Sequence, residues 1–220
     1  MTRAPLARPT DALPTAHGAA PAWEIAAADD VGPLRADGET PRHVAIIMDG
    51  NRRWARSDEE VTGLFGLLEA AIRSETAELR AQGVRVGLLG RLEELPEATR
   101  RSIEAALAET SEGNRLILNV AFNYAGRTEL VDAFRRLVRS GIRPDQIDET
   151  AISSVLYTAG LPDPDLVIRT GGEQRLSNFL IWQSAYAEFY SCDVLWPDFG
   201  PDAFDEALLE FARRTRRFGR

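Results

Sequence analysis

The sequence predicts an α/β protein in which a mainly parallel central sheet carries helices on both faces. Short apolar runs that are typical of buried strands alternate along the chain with longer segments whose apolar residues recur at helical spacing. Two of the apolar runs end in polar, glycine-containing turns. The carboxyl ends of strands are where open α/β sheets bind their ligands, so these turns are the first places to look for function.

The predicted strands are five apolar runs bounded by turn residues. They cover residues 44–48, 84–89, 116–122 and 165–168, with the fifth within 186–195. Between them, helices are expected over residues 128–139, 148–156 and 203–216, and another begins at Pro96, which suits the first position of a helix.

One further helix is predicted just before the second strand. Ser57 and Glu60 have the spacing of a capping box, and Gly83 suits the left-handed residue that ends a helix. Its apolar face consists of Val61, Leu64, Phe65, Leu68 and Ile72. This spacing fits a helix packed on the core, and it also fits a helix that lines an apolar tunnel.

The first 40 residues differ from the rest in composition. Six of the 12 prolines fall at or before Pro41, among alanines and small polar residues without apolar periodicity. We therefore predict a disordered tail over residues 1–40 and one folded domain over 41–220. Pro21 and Glu24 interrupt the longest apolar stretch of the tail, so no secretory signal is expected.

Composition excludes several classes of function. No apolar run approaches the roughly 20 residues of a membrane-spanning helix, so we expect a cytoplasmic protein with at most peripheral membrane contact. The net charge of −8 argues against a nucleic-acid-binding protein. All 26 basic residues are arginine, which excludes a lysine nucleophile or Schiff base.

The first candidate site follows the strand at 165–168. The turn Arg169-Thr170-Gly171-Gly172 is followed closely by Arg175 and Ser177. Arginine forks match phosphate oxygens in pairs, and glycines let backbone amides close round an anion. A solvated loop whose arginines pair with Glu173 or Asp193 explains the same residues about equally well.

The second candidate site shifts that balance. Residues 43–54 read HVAIIMDGNRRW, which places Asp49 at the carboxyl end of a predicted strand, beside a glycine and two arginines. A carboxylate next to arginines is typical of a site for Mg²⁺ and diphosphate, because the carboxylate holds the hard cation and the arginines hold the phosphates. Two such turns in one chain are hard to explain as solvated loops.

With these motifs in place, the chain resembles the cis-prenyltransferases, the isoprenyl transferase or undecaprenyl diphosphate synthase family. The resemblance covers roughly residues 41–220, and its most specific part runs from Leu156 to Tyr190. The matching segments are HVAIIMDGNRRWA, LNVAFNYAGRTELVDA, LYTAGLPDPDLVIRTGGEQRLSNFLIWQSAYAEFY, DVLWPDF and the terminal RRFG.

The resemblance implies an enzyme that condenses isopentenyl diphosphate with an allylic prenyl diphosphate to give a cis-polyprenyl diphosphate. It implies that Asp49 is catalytic and holds Mg²⁺, with Glu188 as the second metal carboxylate. The allylic diphosphate would be bound by Gly50, Asn51, Arg52, Arg53 and Trp54. The isopentenyl diphosphate would be bound by Arg169, Arg175, Leu176 and Ser177.

The resemblance also exposes a gap after Trp54. Family members usually place a helix, a strand and another helix there, on the order of 40–50 residues. That unit carries one wall of the tunnel that holds the growing isoprenoid and an asparagine associated with catalysis. We therefore expect a sheet one strand and two helices short, and weak chain elongation. Arg56 would stand for the arginine that follows the missing asparagine.

Two other interpretations stay open from the sequence. A catalytically impaired family member would keep diphosphate binding and act as a partner subunit. A phosphatase would need a nucleophile, and Asn51 stands two residues after Asp49, where a second aspartate would be expected. The terminal Arg217-Phe218-Gly219 resembles the family's Arg-x-Gly tail, which reaches the partner's active site, so a homodimer is expected.

Overall fold

The structure is a computed structural model that describes residues 40–50, 70, 72 and 74–214. It contains five strands in this range: β1 (Val44–Ile47), β2 (Val84–Leu89), β3 (Leu116–Ala121), β4 (Leu166–Arg169) and β5 (Glu188–Ser191). All five predicted strands are confirmed, with ends that shift by one residue at most where both ends were predicted.

Four α-helices have both ends within the described residues: α1 (Glu97–Thr110), α2 (Gly126–Arg139), α3 (Glu149–Ser153) and α4 (Pro201–Arg213). Residues 74–81 are the last part of a further helix before β2. Pro96 is the N-cap of α1 rather than its first residue. Helix α2 begins at Gly126, two residues earlier than predicted. The predicted tail, capping box and most of the first helix lie outside the described residues.

Every strand pairing is parallel. The strands β1, β4 and β5 form one sheet in the order β1-β4-β5, and β2 pairs with β3 in a second sheet. The predicted α/β class with mainly parallel strands is confirmed. In the part of the chain that the structure describes, the strands form two sheets rather than one central sheet, and no described strand joins the two.

Strand β4 is the centre of the three-stranded sheet and is buried along its whole length. On one face, Leu166 and Ile168 pack against Ala207 and Phe211 of helix α4. On the other face, Val167 packs with Ala45 of β1, Leu89 of β2 and Leu180, so this cluster links the two sheets. A third cluster packs α1 against β2. Ile72 packs against this cluster, which supports the interpretation that Ile72 belongs to the core. No helix among the described residues is long and apolar enough to cross a membrane; the cytoplasmic location stays a prediction.

Helix α2 is tied to its surroundings by charged and polar contacts. The Asp132 carboxylate accepts two hydrogen bonds from the Arg91 guanidinium, at 2.8 and 3.0 Å, and one from the Tyr157 hydroxyl at 2.6 Å. The Asp132 side chain is only 17% exposed. Hydrogen bonds from Arg91 lower the pKa of Asp132 to about 2. The ionised carboxylate therefore stabilises the loop after β2 and the segment around Tyr157 against this helix.

We predict that Asp132→Asn lowers the free energy of unfolding at pH 7 by about 1.5–3 kcal/mol, the range for hydrogen bonds to a charged group. The folded-state pKa lies below the unfolded value, so this contribution is present above about pH 4 and is lost as the pH falls towards 2. Urea unfolding at several pH values measures the difference between wild type and variant, which should shrink over that interval.

Asp145→Asn is the matched control for this experiment. Asp145 also pairs with an arginine, Arg143, but both side chains are about 70% exposed. Exposed pairs contribute little, so we expect almost no change in stability at any pH. Equal effects of the two substitutions at pH 7 would contradict the structural role given to Asp132.

Candidate active site

Asp49 lies in the turn that follows β1. Its backbone N–H donates to the Ile47 carbonyl at 3.1 Å, and its carboxylate accepts from the Gly50 N–H at 2.6 Å. Gly50 has a φ of 103°, and a Cβ there would lie 2.7 Å from a methyl carbon of Leu195. The predicted Asp-Gly turn is therefore confirmed, and it requires glycine for both conformation and space.

Thr170 fixes this turn onto the end of β4. Its hydroxyl accepts a hydrogen bond from the Asp49 N–H at 2.9 Å and donates to the Asp49 carbonyl at 2.7 Å. The Trp196 N–H donates to the same carbonyl at 3.0 Å. Because β1 and β4 are parallel, with Ile47 opposite Arg169, both turns leave the sheet at the carboxyl ends of its strands. The sequence places the Thr170 hydroxyl in a predicted anion-binding turn, but its contacts with Asp49 depend on the register of β1 on β4.

Arg169 connects the two predicted sites. Its guanidinium donates to the Asp49 carboxylate at 2.6 Å and to the Ser177 hydroxyl at 2.6 Å, and also to the Arg175 carbonyl. The side chain is 5% exposed, whereas that of Asp49 is 33% exposed. The Arg169 Nε is buried without a hydrogen-bond partner in the part of the chain described. A buried guanidinium with a spare donor beside a half-exposed carboxylate is suited to an oxyanion ligand.

Arg175 stands at the surface. Its guanidinium pairs with Glu173, and 62% of its side chain is exposed. In the state described, the solvated-loop interpretation therefore applies to Arg175 but not to Arg169. The Leu176 side chain is partly buried and packs against the core cluster that contains Val167 and Leu180.

The glycine amides of the turn after β4 do not surround an anion, which corrects one expectation. The Gly171 N–H donates to the Val194 carbonyl and the Gly172 N–H to the Cys192 carbonyl, both at 2.8 Å. Both glycines have positive φ angles of 83° and 82°. Their role is to form a left-handed turn that joins the end of β4 to the segment after β5.

Glu188 lies away from Asp49, which corrects a second expectation. It is opposite Leu166 at the start of β4, whereas Arg169 at the end of β4 is opposite Ser191. Three strand residues correspond to about 10 Å. The Glu188 carboxylate accepts from Arg214 at 3.1 Å. The two carboxylates therefore do not share one cation within this chain, because Glu188 lies at the amino end of the parallel strands and Asp49 follows their carboxyl end.

The remaining predicted site residues lie outside the described part of the chain, and their roles stay predictions. They are Asn51, Arg52, Arg53, Trp54 and Arg56. The same holds for the terminal Arg217-Phe218-Gly219.

The residues present fit Mg²⁺ in the way its diphosphate sites are usually built. Mg²⁺ is commonly bound through one or two carboxylates, with the remaining positions taken by substrate phosphates and water. Asp49 provides a partly exposed carboxylate at the carboxyl edge of the sheet, next to a buried guanidinium that suits phosphate. The arrangement can therefore bind a metal diphosphate and stabilise negative charge that develops on it.

Comparison with known proteins gives these residues a family context. A family model described as "Putative undecaprenyl diphosphate synthase" matches residues 55–219. An isoprenyl transferase of Heliobacterium mobile is 39% identical to this chain, with 89% of this chain and 92% of that protein aligned. A tritrans,polycis-undecaprenyl-diphosphate synthase (geranylgeranyl-diphosphate specific) of Thermococcus kodakarensis is also 39% identical over 83% of this chain and 88% of its own length.

The same family appears among solved structures. The lavandulyl diphosphate synthase from Lavandula x intermedia, crystallised in complex with dimethylallyl diphosphate, superposes with a TM-score of 0.79. It is 33% identical, and the alignment covers 84% of this chain and all of that chain. This likeness supports the parallel α/β fold described above.

The alignments also measure how much shorter this chain is. The Heliobacterium alignment spans 244 positions, but 89% of 220 residues is only about 196, so about 48 positions of that protein have no counterpart here. The Thermococcus alignment spans 233 positions against about 183 residues, which leaves about 50. Both values agree in size with the segment expected to be missing after Trp54.

The matched stretch, the identities and the shared fold all lead to one assignment. Residues 55–219 make up three quarters of the chain, and the relatives are aligned over most of their own length. The chain therefore belongs to the isoprenyl transferase (undecaprenyl diphosphate synthase) family.

Proposed function

We propose that this protein condenses isopentenyl diphosphate with an allylic prenyl diphosphate to give a cis-polyprenyl diphosphate. The observation that carries the proposal is the Arg169 guanidinium, which is buried between Asp49 and Ser177 with its Nε donor unpartnered in the described chain. The family's relatives are named as transferases of this kind, which supports the same reaction.

In the reaction, the allylic C–O bond breaks and its electron pair leaves with the diphosphate. The double bond of isopentenyl diphosphate supplies the electrons of the new carbon–carbon bond, and a proton leaves the isopentenyl unit. Arg169 and Arg175 hold the diphosphate of the isopentenyl substrate in this proposal. Thr170 holds Asp49 in place on the adjoining strand, so that the two reacting groups are oriented before the chemical step.

We further propose that Asp49 holds Mg²⁺. When bound, Mg²⁺ neutralises the negative charge that grows on the leaving diphosphate. Glu188 has no role in this proposal, because its carboxylate pairs with Arg214 at the amino end of the strands, away from Asp49. The allylic diphosphate is assigned to Gly50 and to the predicted residues Asn51, Arg52, Arg53, Trp54 and Arg56.

A non-catalytic partner subunit is the alternative. It would use the same diphosphate-binding residues, and the shorter chain is its only support. The comparisons do not favour it, because the relatives with which this chain aligns over most of their length are named as transferases.

An elongation assay tests the proposed reaction. With radiolabelled isopentenyl diphosphate, an allylic prenyl diphosphate and Mg²⁺, we expect a polyprenyl product that forms more slowly than about 1 s⁻¹, an ordinary enzymatic rate. The shorter chain is the reason for the low rate, since a misplacement of about 1 Å can cost two orders of magnitude. Asp49→Asn should reduce the rate by about 10²-fold or more, and the exposed Asp145→Asn should not.

Two outcomes of this assay would contradict the proposal. One is the absence of any prenyl product from a folded protein that binds both diphosphates, which would leave the partner-subunit alternative. The other is an unchanged rate for Asp49→Asn. A rate of several additions per second would instead show that the segment absent from this chain is dispensable.

Arg175→Ala should weaken the binding of isopentenyl diphosphate about tenfold or more, because a hydrogen-bonded contact to a charged group contributes about 1.5–3 kcal/mol. Isothermal titration calorimetry measures the dissociation constant. Arg143→Ala is the matched control, since Arg143 is an exposed arginine that pairs with an acidic residue two positions away. Equal affinities of the Arg175 variant and wild type would remove Arg175 from the site.

The expected homodimer is tested by deletion of residues 216–220. We expect a dimer mass for the full chain in light scattering, and loss of diphosphate binding when the tail is removed, because the tail would complete the partner's site. A monomer at micromolar concentration with full binding would refute the homodimer.

A further inference from the structure

A buried carboxylate that the proposed mechanism does not use lies in the first turn of helix α2. Glu129 is 1% exposed. It accepts hydrogen bonds from the Tyr124 hydroxyl, from the Tyr157 N–H at 2.8 Å and from the Gln183 side-chain amide at 3.1 and 3.2 Å. All these partners are donors, and the two carboxylate oxygens accept from them. Burial is the main cause of the raised pKa of Tyr124, and the bond to Glu129 adds to it.

Gln183 is held in one orientation by this carboxylate. Its side-chain nitrogen donates to Glu129 and to the Thr158 hydroxyl, the latter at 2.8 Å. The reversed amide would direct the Gln183 oxygen at the Glu129 oxygens, where two acceptors repel. The residue is 3% exposed, so no solvent replaces these contacts. Glu129 therefore fixes both the position and the rotation of Gln183.

Gln183 ends a segment, residues 177–183, whose backbone needs external support. Ser177, Asn178 and Leu180 all have positive φ angles, of 48°, 66° and 42°. Such conformations are uncommon for residues with a Cβ and persist only where surrounding contacts hold them. We call this segment the 177–183 corner.

Helix α2 holds the other end of the corner as well. The Asn178 carbonyl accepts from the Gly126 N–H at 2.7 Å, and its side chain accepts from the Arg127 N–H at 2.8 Å. A Cβ at Gly126 would lie 2.9 Å from Ile181, so only glycine allows this approach. The start of α2 is thus hydrogen-bonded to the corner at Asn178 and, through Glu129, at Gln183.

The corner in turn holds the guanidinium of Arg169, since the Ser177 hydroxyl accepts from Arg169 at 2.6 Å. We propose that Glu129 is a positioning residue for diphosphate binding: through Gln183 it holds the 177–183 corner, and through Ser177 it sets the place of Arg169. This inference rests on the proposed function, because it takes Arg169 as the group that binds diphosphate.

The test uses the full chain and inorganic pyrophosphate, with the dissociation constant measured by calorimetry. Gln183→Glu places two carboxylates together in a buried site, where they repel when both are ionised. We expect pyrophosphate to bind at least tenfold more weakly than to wild type at pH 8.

A second substitution provides the decisive rescue. Glu129→Gln combined with Gln183→Glu restores one carboxylate and one amide, so binding at pH 8 should return to within about threefold of wild type.

Gln82→Glu is the matched control. The Gln82 side chain also donates to a glutamate, Glu78, at 2.9 Å, but this pair is exposed. The same substitution there should leave pyrophosphate binding unchanged. Where Gln183→Glu does not fold, Gln183→Met removes the amide without adding a charge, and we expect it to weaken binding at pH 8 about threefold or more.

Several results would overturn the inference. They are wild-type affinity of a folded Gln183→Glu protein at pH 8, wild-type affinity of Gln183→Met, or failure of the double variant to recover binding. Absence of pyrophosphate binding by the wild-type chain is a different result, because it would overturn the proposed function itself.

Discussion

The buried ion pair between Arg169 and Asp49 is the interaction on which the candidate site depends. A guanidinium that is 95% buried needs a charged partner, and Asp49 is the carboxylate that it contacts. The two groups that are to hold phosphate and cation therefore neutralise each other when no ligand is bound. In the proposed function, a metal diphosphate would bring both a cation for Asp49 and an anion for Arg169, so ligand binding would exchange one charge-neutral arrangement for another.

Parallel pairing of two strands is what brings these residues together. Asp49 and Arg169 are 120 residues apart, and the register of β1 on β4 places them at one edge. The Thr170 hydroxyl then locks the two turns to each other with one accepted and one donated hydrogen bond. The distance between carboxylate and guanidinium is thus set by backbone geometry, which keeps the site assembled without a ligand.

The sequence was sufficient for the strands and for the two turns, because apolar runs and Asp-Gly or Gly-Gly pairs are local signals. It was not sufficient for the use of the Gly171 and Gly172 amides, which depends on carbonyls of the segment after β5. Nor did it place Glu188, because strand register decides whether a residue lies near the amino or the carboxyl ends of the neighbouring strands. The contacts of Glu129 were missed because they join four separate segments, and a single glutamate on a helix gives no local signal of burial.

The shorter chain and the proposed diphosphate site are compatible because they concern different parts of the molecule. Arg169, Asp49 and Ser177 are held by β1, β4, the start of α2 and the 177–183 corner. None of these contacts requires β2 and β3 to join the three-stranded sheet. Elongation, in contrast, needs an enclosed apolar path for the growing isoprenoid, which an isolated pair of strands supplies less well than a continuous sheet. We therefore expect diphosphate binding and chain elongation to be separable in this protein, with the absence of about 48 positions affecting the second far more than the first.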